Sequence, residues 1–222
     1  TLLRCINRLV EPTEGEIIWN GRNIAAAEQS ELRSIRRQFG MIFQQFNLVN
    51  RSTVMTNVLS GRLGYVSTGR SLLHRFSQAD RQMARNALKR VGLTEQTYKL
   101  ARELSGGQQQ RVGIARALMQ EPEVILADEP VASLDPVLAH TILGYLEQVN
   151  RDERLTVICS LHYLDLVQRY ASHVIGLRDG RVVWQGDSAA IKAVTDAEFK
   201  EIYGEEAERV SAASPSTEAS NG

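Results

Sequence analysis

The sequence predicts an α/β protein built on a parallel sheet, and two apolar segments carry that expectation. Val124-Ile125-Leu126-Ala127 and Leu155-Thr156-Val157-Ile158 are short and rich in β-branched residues, and a stretch of helical spacing separates them. That is the pattern of parallel strands buried on both faces and joined by a crossover helix. From residue 105 onward helices and strands alternate: helix 105–120, strand 123–128, helix 136–150, strand 155–160, helix 163–171, then strands 173–178 and 181–185. Asp179-Gly180 suits the hairpin between the last two.

The first half is less regular. Leu2, Ile6 and Leu9 share a helical face, so a helix is expected from the first residues. Glu16-Ile17-Ile18-Trp19 runs into Asn20-Gly21, a strand followed by a tight turn. A polar helix spans 30–37, and Gly40-Met41-Ile42-Phe43 is a short strand. Residues 51–104 are mostly helical. Their clearest helix runs from Ser77 to Val91, with Ala84, Leu88 and Val91 on one face and Gly92 as its stop. The segment from Gly204 to the end has no aromatic residue and is rich in Ser, Ala and Glu, the composition of a disordered tail.

Composition narrows the function classes. The 222 residues carry 26 basic and 26 acidic side chains, so no broad positive field exists to hold nucleic acid. The longest apolar run is Ile142 to Leu146, Gly144 included, far short of a bilayer span. Cys5 and Cys159 have no metal-ligand spacing and fit buried packing roles in a reducing compartment.

Chemistry concentrates where strands end. The strand at 124–127 closes on Asp128-Glu129-Pro130. In open parallel sheets ligands bind beyond the carboxyl ends of strands. Two acids there suit a division of labour, one holding Mg²⁺ and the other orienting or activating water. Taken alone, they suit solvated loop residues equally well. In Leu104-Ser105-Gly106-Gly107-Gln108, Ser105 and Gln108 form a capping box. The two glycines between them leave first-turn N–H groups open to an anion, at a helix-propensity cost of roughly 1 kcal/mol each. Gln44 follows the strand at 40–43, and His162 follows the one ending at Ser160. Asp135-Pro136 is an N-cap with proline at the first helical position. Singly, each of these is ordinarily structural.

Jointly, Leu104-Ser-Gly-Gly-Gln108, Leu126-Ala-Asp-Glu-Pro130, Ser133-Leu-Asp135 and His162 resemble, in order and spacing, the ATP-binding subunit of ABC transporters. Residues 104–108 look like the signature motif, 124–129 the Walker B strand, 133–135 the D-loop, His162 the switch histidine and Gln44 the Q-loop glutamine. The resemblance covers residues 1 to about 200. It implies a P-loop NTPase (RecA-like) core with an inserted helical subdomain and a small antiparallel β part. The division expected is core at 1–50 and 115–203, helical subdomain at 51–114, and tail at 204–222. Family phosphate loops end in Gly-Lys-Ser-Thr-Leu-Leu and this chain opens Thr1-Leu2-Leu3, so Thr1 would follow the Mg²⁺-binding serine. The expectation is an incomplete core, inactive as it stands.

The resemblance also implies a mechanism. ATP and Mg²⁺ would be shared between two head-to-tail subunits, with Ser105, Gly106, Gly107 and Gln108 meeting the γ-phosphate from across the pair and Asp135 alongside. Asp128 and Gln44 would meet the metal, Glu129 would be the base or water-orienting residue, and His162 would contact the γ-phosphate. Partners would be a second copy, membrane permease subunits and, indirectly, a periplasmic substrate-binding protein, at the cytoplasmic face of the inner membrane. The stretch Gly61 to Ser77, with Asp80-Arg81, Arg90 to Leu93 and Ser160-Leu161-His162, is similar to phosphonate importers. Amino-acid importers share Phe43-Gln44 and Phe46-Asn47-Leu48, and an importer for another small solute is the alternative. Further alternatives are a non-transport ABC ATPase, which would typically carry coiled-coil insertions or two cassettes, and a pairing subunit without turnover of its own.

Overall fold

The computed structural model describes residues 1–66, 76–195, 198 and 200. The tail expected from Gly204 and part of the importer-like stretch (67–75) lie outside these residues. Two compact units are present, Thr1–Ser160 and Leu161 onward.

In the first unit α1 (Leu2–Ile6) is shorter than the apolar spacing suggests. Arg8 takes a left-handed φ of 55°, and Arg8 N–H and Leu9 N–H close onto Cys5 O and Arg4 O at 2.9 and 2.8 Å. This is a Schellman-type ending without glycine. The Arg8 guanidinium pays for it by bonding Glu11 and the carbonyls of Ile24 and Ala27, which pulls the chain off the helical path. A small hairpin follows, β1 (Ile18–Trp19) and β2 (Arg22–Asn23), turning through Asn20 and Gly21 at φ 49° and 75°. Both central residues at positive φ make the turn type I′, as an Asn-Gly dipeptide favours.

After α2 (Gln29–Arg37), β3 (Phe39–Ile42) pairs in parallel with β4 (Val124–Ala127), which pairs in parallel with β5 (Thr156–Cys159). Strand β4 is central and wholly buried, whereas β5 alternates exposed with half-buried residues. Leu3, Leu32, Ile35, Phe39, Met41, Val124 and Leu126 form one cluster behind the sheet. Each aliphatic side chain so buried contributes about 1.5–3 kcal/mol.

Between β3 and β4 lie α3 (Val54–Leu59), α4 (Gln78–Arg90) and α5 (Gly106–Leu118), packed on one another. Ser77 and Asp80 form the capping box of α4. Gly92, at φ 66°, ends it in a Schellman pair, with Gly92 N–H on Lys89 O and Leu93 N–H on Leu88 O. Residues 94–96 and 101–103 are 3₁₀ turns, so the described part of 51–104 is less helical than expected. Helix α6 (Pro136–Glu153) returns the chain from β4 to β5.

The second unit holds α7 (Leu164–Tyr170), an antiparallel pair β6 (His173–Arg178) and β7 (Arg181–Asp187), and α8 (Ser188–Lys192). Asp179 and Gly180 make its turn at φ 50° and 75°. Leu164, Val167, Ile191 and Val194 close its core. Helix α8 was not expected. Its start is set by Asp187, whose Oδ1 accepts from Ala189 and Ala190 N–H at 3.0 and 2.9 Å and whose carboxyl those bonds hold below the usual range.

Candidate functional site

Parallel register decides which side chains share the carboxyl edge of the sheet. Ile42 aligns with Ala127 and Ala127 with Cys159, so residues 43, 128 and 160 come next, in one row. The ladder continues that far: Asp128 N–H donates to Ile42 O at 2.9 Å and Ser160 N–H to Ala127 O at 3.0 Å. Asp128, Glu129 and Gln44 are thereby gathered at the end where α/β proteins bind ligands.

The two adjacent acids are not equivalent. Asp128 is buried, 8% exposed, and its Oδ2 accepts from Arg4 Nε at 2.8 Å. Glu129 is half-buried, with a left-handed φ of 49° and its N–H on Ser160 Oγ at 2.8 Å. Non-glycine residues seldom adopt that conformation, and at such an edge it re-aims the side chain. Beside them, Cys159 is half-buried rather than sealed. Burial, with the Asp128 charge nearby, pushes its thiol up to about 12, leaving it protonated and unreactive at neutral pH.

Gln44 lies exposed in the bend after β3 and lines an open cleft of about 350 Å³ with Phe46, Asn50, Gln109 and Ser133. Arg116 of α5 fixes this loop, its guanidinium donating to Phe46 O at 2.9 Å and Asn47 O at 2.6 Å. Burial lowers the pKa of that guanidinium.

At the start of α5, Ser105 Oγ accepts from Gln108 N–H at 3.4 Å and Gln108 Oε1 from Ser105 N–H at 3.0 Å. The N–H groups of Gly106 and Gly107 precede the first intrahelical acceptor and stay available for an anion. The glycines have different causes. A Cβ on Gly107 would press both Leu138 Cδ atoms at 3.1 Å, so tight packing against the end of that side chain favours glycine there. A Cβ on Gly106 would meet Phe46 and Leu134 at ordinary distances, 3.7 and 3.9 Å, and sterics leave that glycine unexplained. Asp135 caps α6, Oδ1 accepting from Leu138 N–H at 3.0 Å, with Pro136 at the first helical position. Thr1 begins α1, its carbonyl accepting from Arg4 and Cys5 N–H. His162 is exposed and belongs to the second unit.

The family model for ABC transporters matches residues 1–132. The chain belongs to the ABC transporter family. The cassette is 50% identical over 204 residues to the phosphonates import ATP-binding protein PhnC 3 of Halalkalibacterium halodurans, covering 92% of this chain and 78% of that protein. It is 53% identical over 209 residues to the phosphonates import ATP-binding protein PhnC of Bacillus thuringiensis subsp. konkukian, covering 94% and 80%. Among solved structures it resembles the ADP conformation of MJ1267, an ATP-binding cassette of an ABC transporter, with TM-score 0.78, 29% identity, and 92% and 82% of the two chains covered. The dimeric cassette MJ0796, in a post-hydrolysis state bound to ADP and Pi, gives 0.72 at 33% identity, covering 84% and 79%.

Three residues around the carboxylates have contacts that no sequence spacing shows. A lone arginine in an amphipathic helix, as Arg4 is, resembles a solvated cation until α1 is set against β4. Ser160 figures only as part of Ser160-Leu161-His162, and nothing in that spacing shows its hydroxyl meeting the Glu129 N–H. Gln110 did leave a signal, since it lies three residues after Gly107 and four before Ile114, on the face of α5 that is buried.

Proposed function

We propose that this cassette is the ATP-hydrolysing subunit of an importer for phosphonates. Two copies pair head to tail around ATP, and permease subunits hold the pair at the cytoplasmic face of the membrane. One observation carries the catalytic half of this reading: a buried and a half-buried carboxylate, adjacent in sequence, at the carboxyl end of β4 beside the Gln44 bend. The cargo follows from the relatives, 50–53% identical over more than nine-tenths of the chain and named for phosphonate import.

Among the described residues no group of three or more His, Cys, Asp or Glu side chains is close enough to hold a metal. A donor set of one carboxylate, Asp128, with one amide oxygen, Gln44, does fit Mg²⁺, which keeps most of its waters and arrives with phosphates. Bound Mg²⁺–ATP supplies the phosphoryl group and neutralises charge on its oxygens. The chain's part is positioning. Asp128 would hold the cation in place of Arg4, Glu129 would orient the attacking water and take its proton, and the family resemblance would give His162 a contact with the γ-phosphate. The open N–H groups of Gly106 and Gly107, with Ser105 and Gln108, receive phosphate oxygens of the partner subunit's nucleotide, and Asp135 and Thr1 border the two nucleotides.

The test is Glu129→Gln in the full-length subunit. Turnover should fall at least about a hundredfold while ATP affinity, measured by nucleotide titration, stays at the wild-type value. Hydrolysis at a near-normal rate would remove Glu129 from that role. Uptake of an alkylphosphonate, restored by this subunit in cells lacking their own importer ATPase, tests the cargo.

A further inference from the structure

Two side chains with no assigned role grip the backbone around Glu129, one at its own N–H and one at the carbonyl of the next residue. Gln110, wholly buried in α5, donates from Nε2 to Pro130 O at 2.8 Å. Ser160, the residue after β5, accepts Glu129 N–H on Oγ at 2.8 Å. Between these two bonds Glu129 holds its left-handed φ of 49°. Strained backbone of this kind persists only where its surroundings over-determine it, and here one bond from the signature helix and one from the neighbouring strand do so.

The other end of the Gln110 amide sharpens the point. Among the described residues Oε1 has no hydrogen-bond partner, although it is buried. A buried acceptor left unpaired destabilises a fold, and an apolar side chain of similar length would remove the penalty. Such a replacement would also take the donor from the Pro130 carbonyl, so its two effects on stability oppose, and what the glutamine alone supplies is the bond from Nε2 to Pro130 O.

We propose that Gln110 and Ser160 are positioning residues that fix the backbone from the Glu129 N–H to the Pro130 carbonyl and so aim the Glu129 carboxylate. Gln110 sits about one turn below Gly106 and Gly107, so one buried hydrogen bond links the helix start that would receive phosphate to the loop carrying the carboxylate. A shift of α5 on engaging an anion moves Pro130 O with it, which couples partner-side binding to the geometry of Glu129. This rests on Glu129 being the water-orienting residue.

Three variants of the full-length subunit test it: Gln110→Met, Ser160→Ala and Ser160→Thr, each measured for kcat, KM for ATP and Tm. Gln110→Met should move Tm by no more than about 4 °C and keep KM while kcat falls about ten- to a hundredfold, the scale of a small misplacement of a catalytic group. Ser160→Ala should lower kcat with KM unchanged, and Ser160→Thr, which keeps the hydroxyl, should regain most of it. A wild-type kcat in Gln110→Met or Ser160→Ala overturns the proposal, as does a loss in Ser160→Ala that threonine does not restore. Should Gln110→Met fail to fold, the Ser160 pair decides alone. Glu129→Gln run alongside separates the two levels: its retained turnover sinks the role of Glu129 itself, whereas its inactivity beside a fully active Gln110→Met sinks only the clamp.

Discussion

Replacing Asp80 with Asn removes the charge from a sheltered knot that ties α4 to its surroundings. Asp80 Oδ2 accepts from Ser77 N–H at 3.0 Å and Ser77 Oγ–H at 2.7 Å, while Oδ1 accepts from Arg62 Nε at 3.2 Å. The side chains of Arg62 and Asp80 are only 16% and 12% exposed. Arg62 also reaches Glu121 at 2.7 Å and lies over the Tyr65 ring at 4.1 Å. Breaking a buried pair costs about 3–5 kcal/mol. Asparagine keeps the shape and most of the capping, and Arg62 keeps Glu121, so the expected loss is about 2 kcal/mol. For a chain of this size that lowers Tm by about 4–8 °C.

The pH dependence follows from opposed influences on Asp80. Burial pushes its carboxyl up, but the Ser77 and Arg62 hydrogen bonds together outweigh burial and hold it below the ordinary 3.8. A carboxyl depressed in the folded state stabilises above its unfolded value, and the contribution drains away as pH falls through the folded one. Urea denaturation of wild type and Asp80→Asn at pH 7, then stepwise below pH 3.8, should show the gap narrowing in acid. A gap under about 0.5 kcal/mol at pH 7, within the range of a neutral surface substitution, would refute the reasoning. So would a gap that acid leaves untouched.

Gly61→Ala should cost about 1–3 kcal/mol in a thermal melt, because the new Cβ would run into the Arg116 carbonyl oxygen and lie 2.9 Å from Met119 Cβ. An unchanged melt would mean that α5 yields there freely. Ser105→Arg should abolish ATP-dependent pairing on a sizing column by filling the anion site proposed at the start of α5, and pairing that persists would count against binding across the dimer.

What the sequence made legible follows from physical period. Val124 to Ala127 is continuous and apolar because β4 is covered on both faces, and Asn20-Gly21 and Asp179-Gly180 dictate their turns locally. The signature, Asp128-Glu129 and Asp135-Pro136 were visible because capping boxes, strand ends and N-caps are written in neighbouring residues. The early end of α1 was not visible, since it depends on carbonyls at Ile24 and Ala27, far along the chain from Arg8. Nor was the difference between Asp128 and Glu129, which rests on Arg4 for the first and on Ser160 and backbone handedness for the second. Contacts of that span have no signature in spacing.

The left-handed backbone at Glu129 bears on how such a cassette evolves. A glycine there would relieve the strain and so tends to be favoured wherever heat resistance alone is selected. On the proposed role of Glu129, glutamate is kept there by selection for turnover, so a copy released from its transport duty is expected to drift early at this position, becoming sturdier as it falls silent.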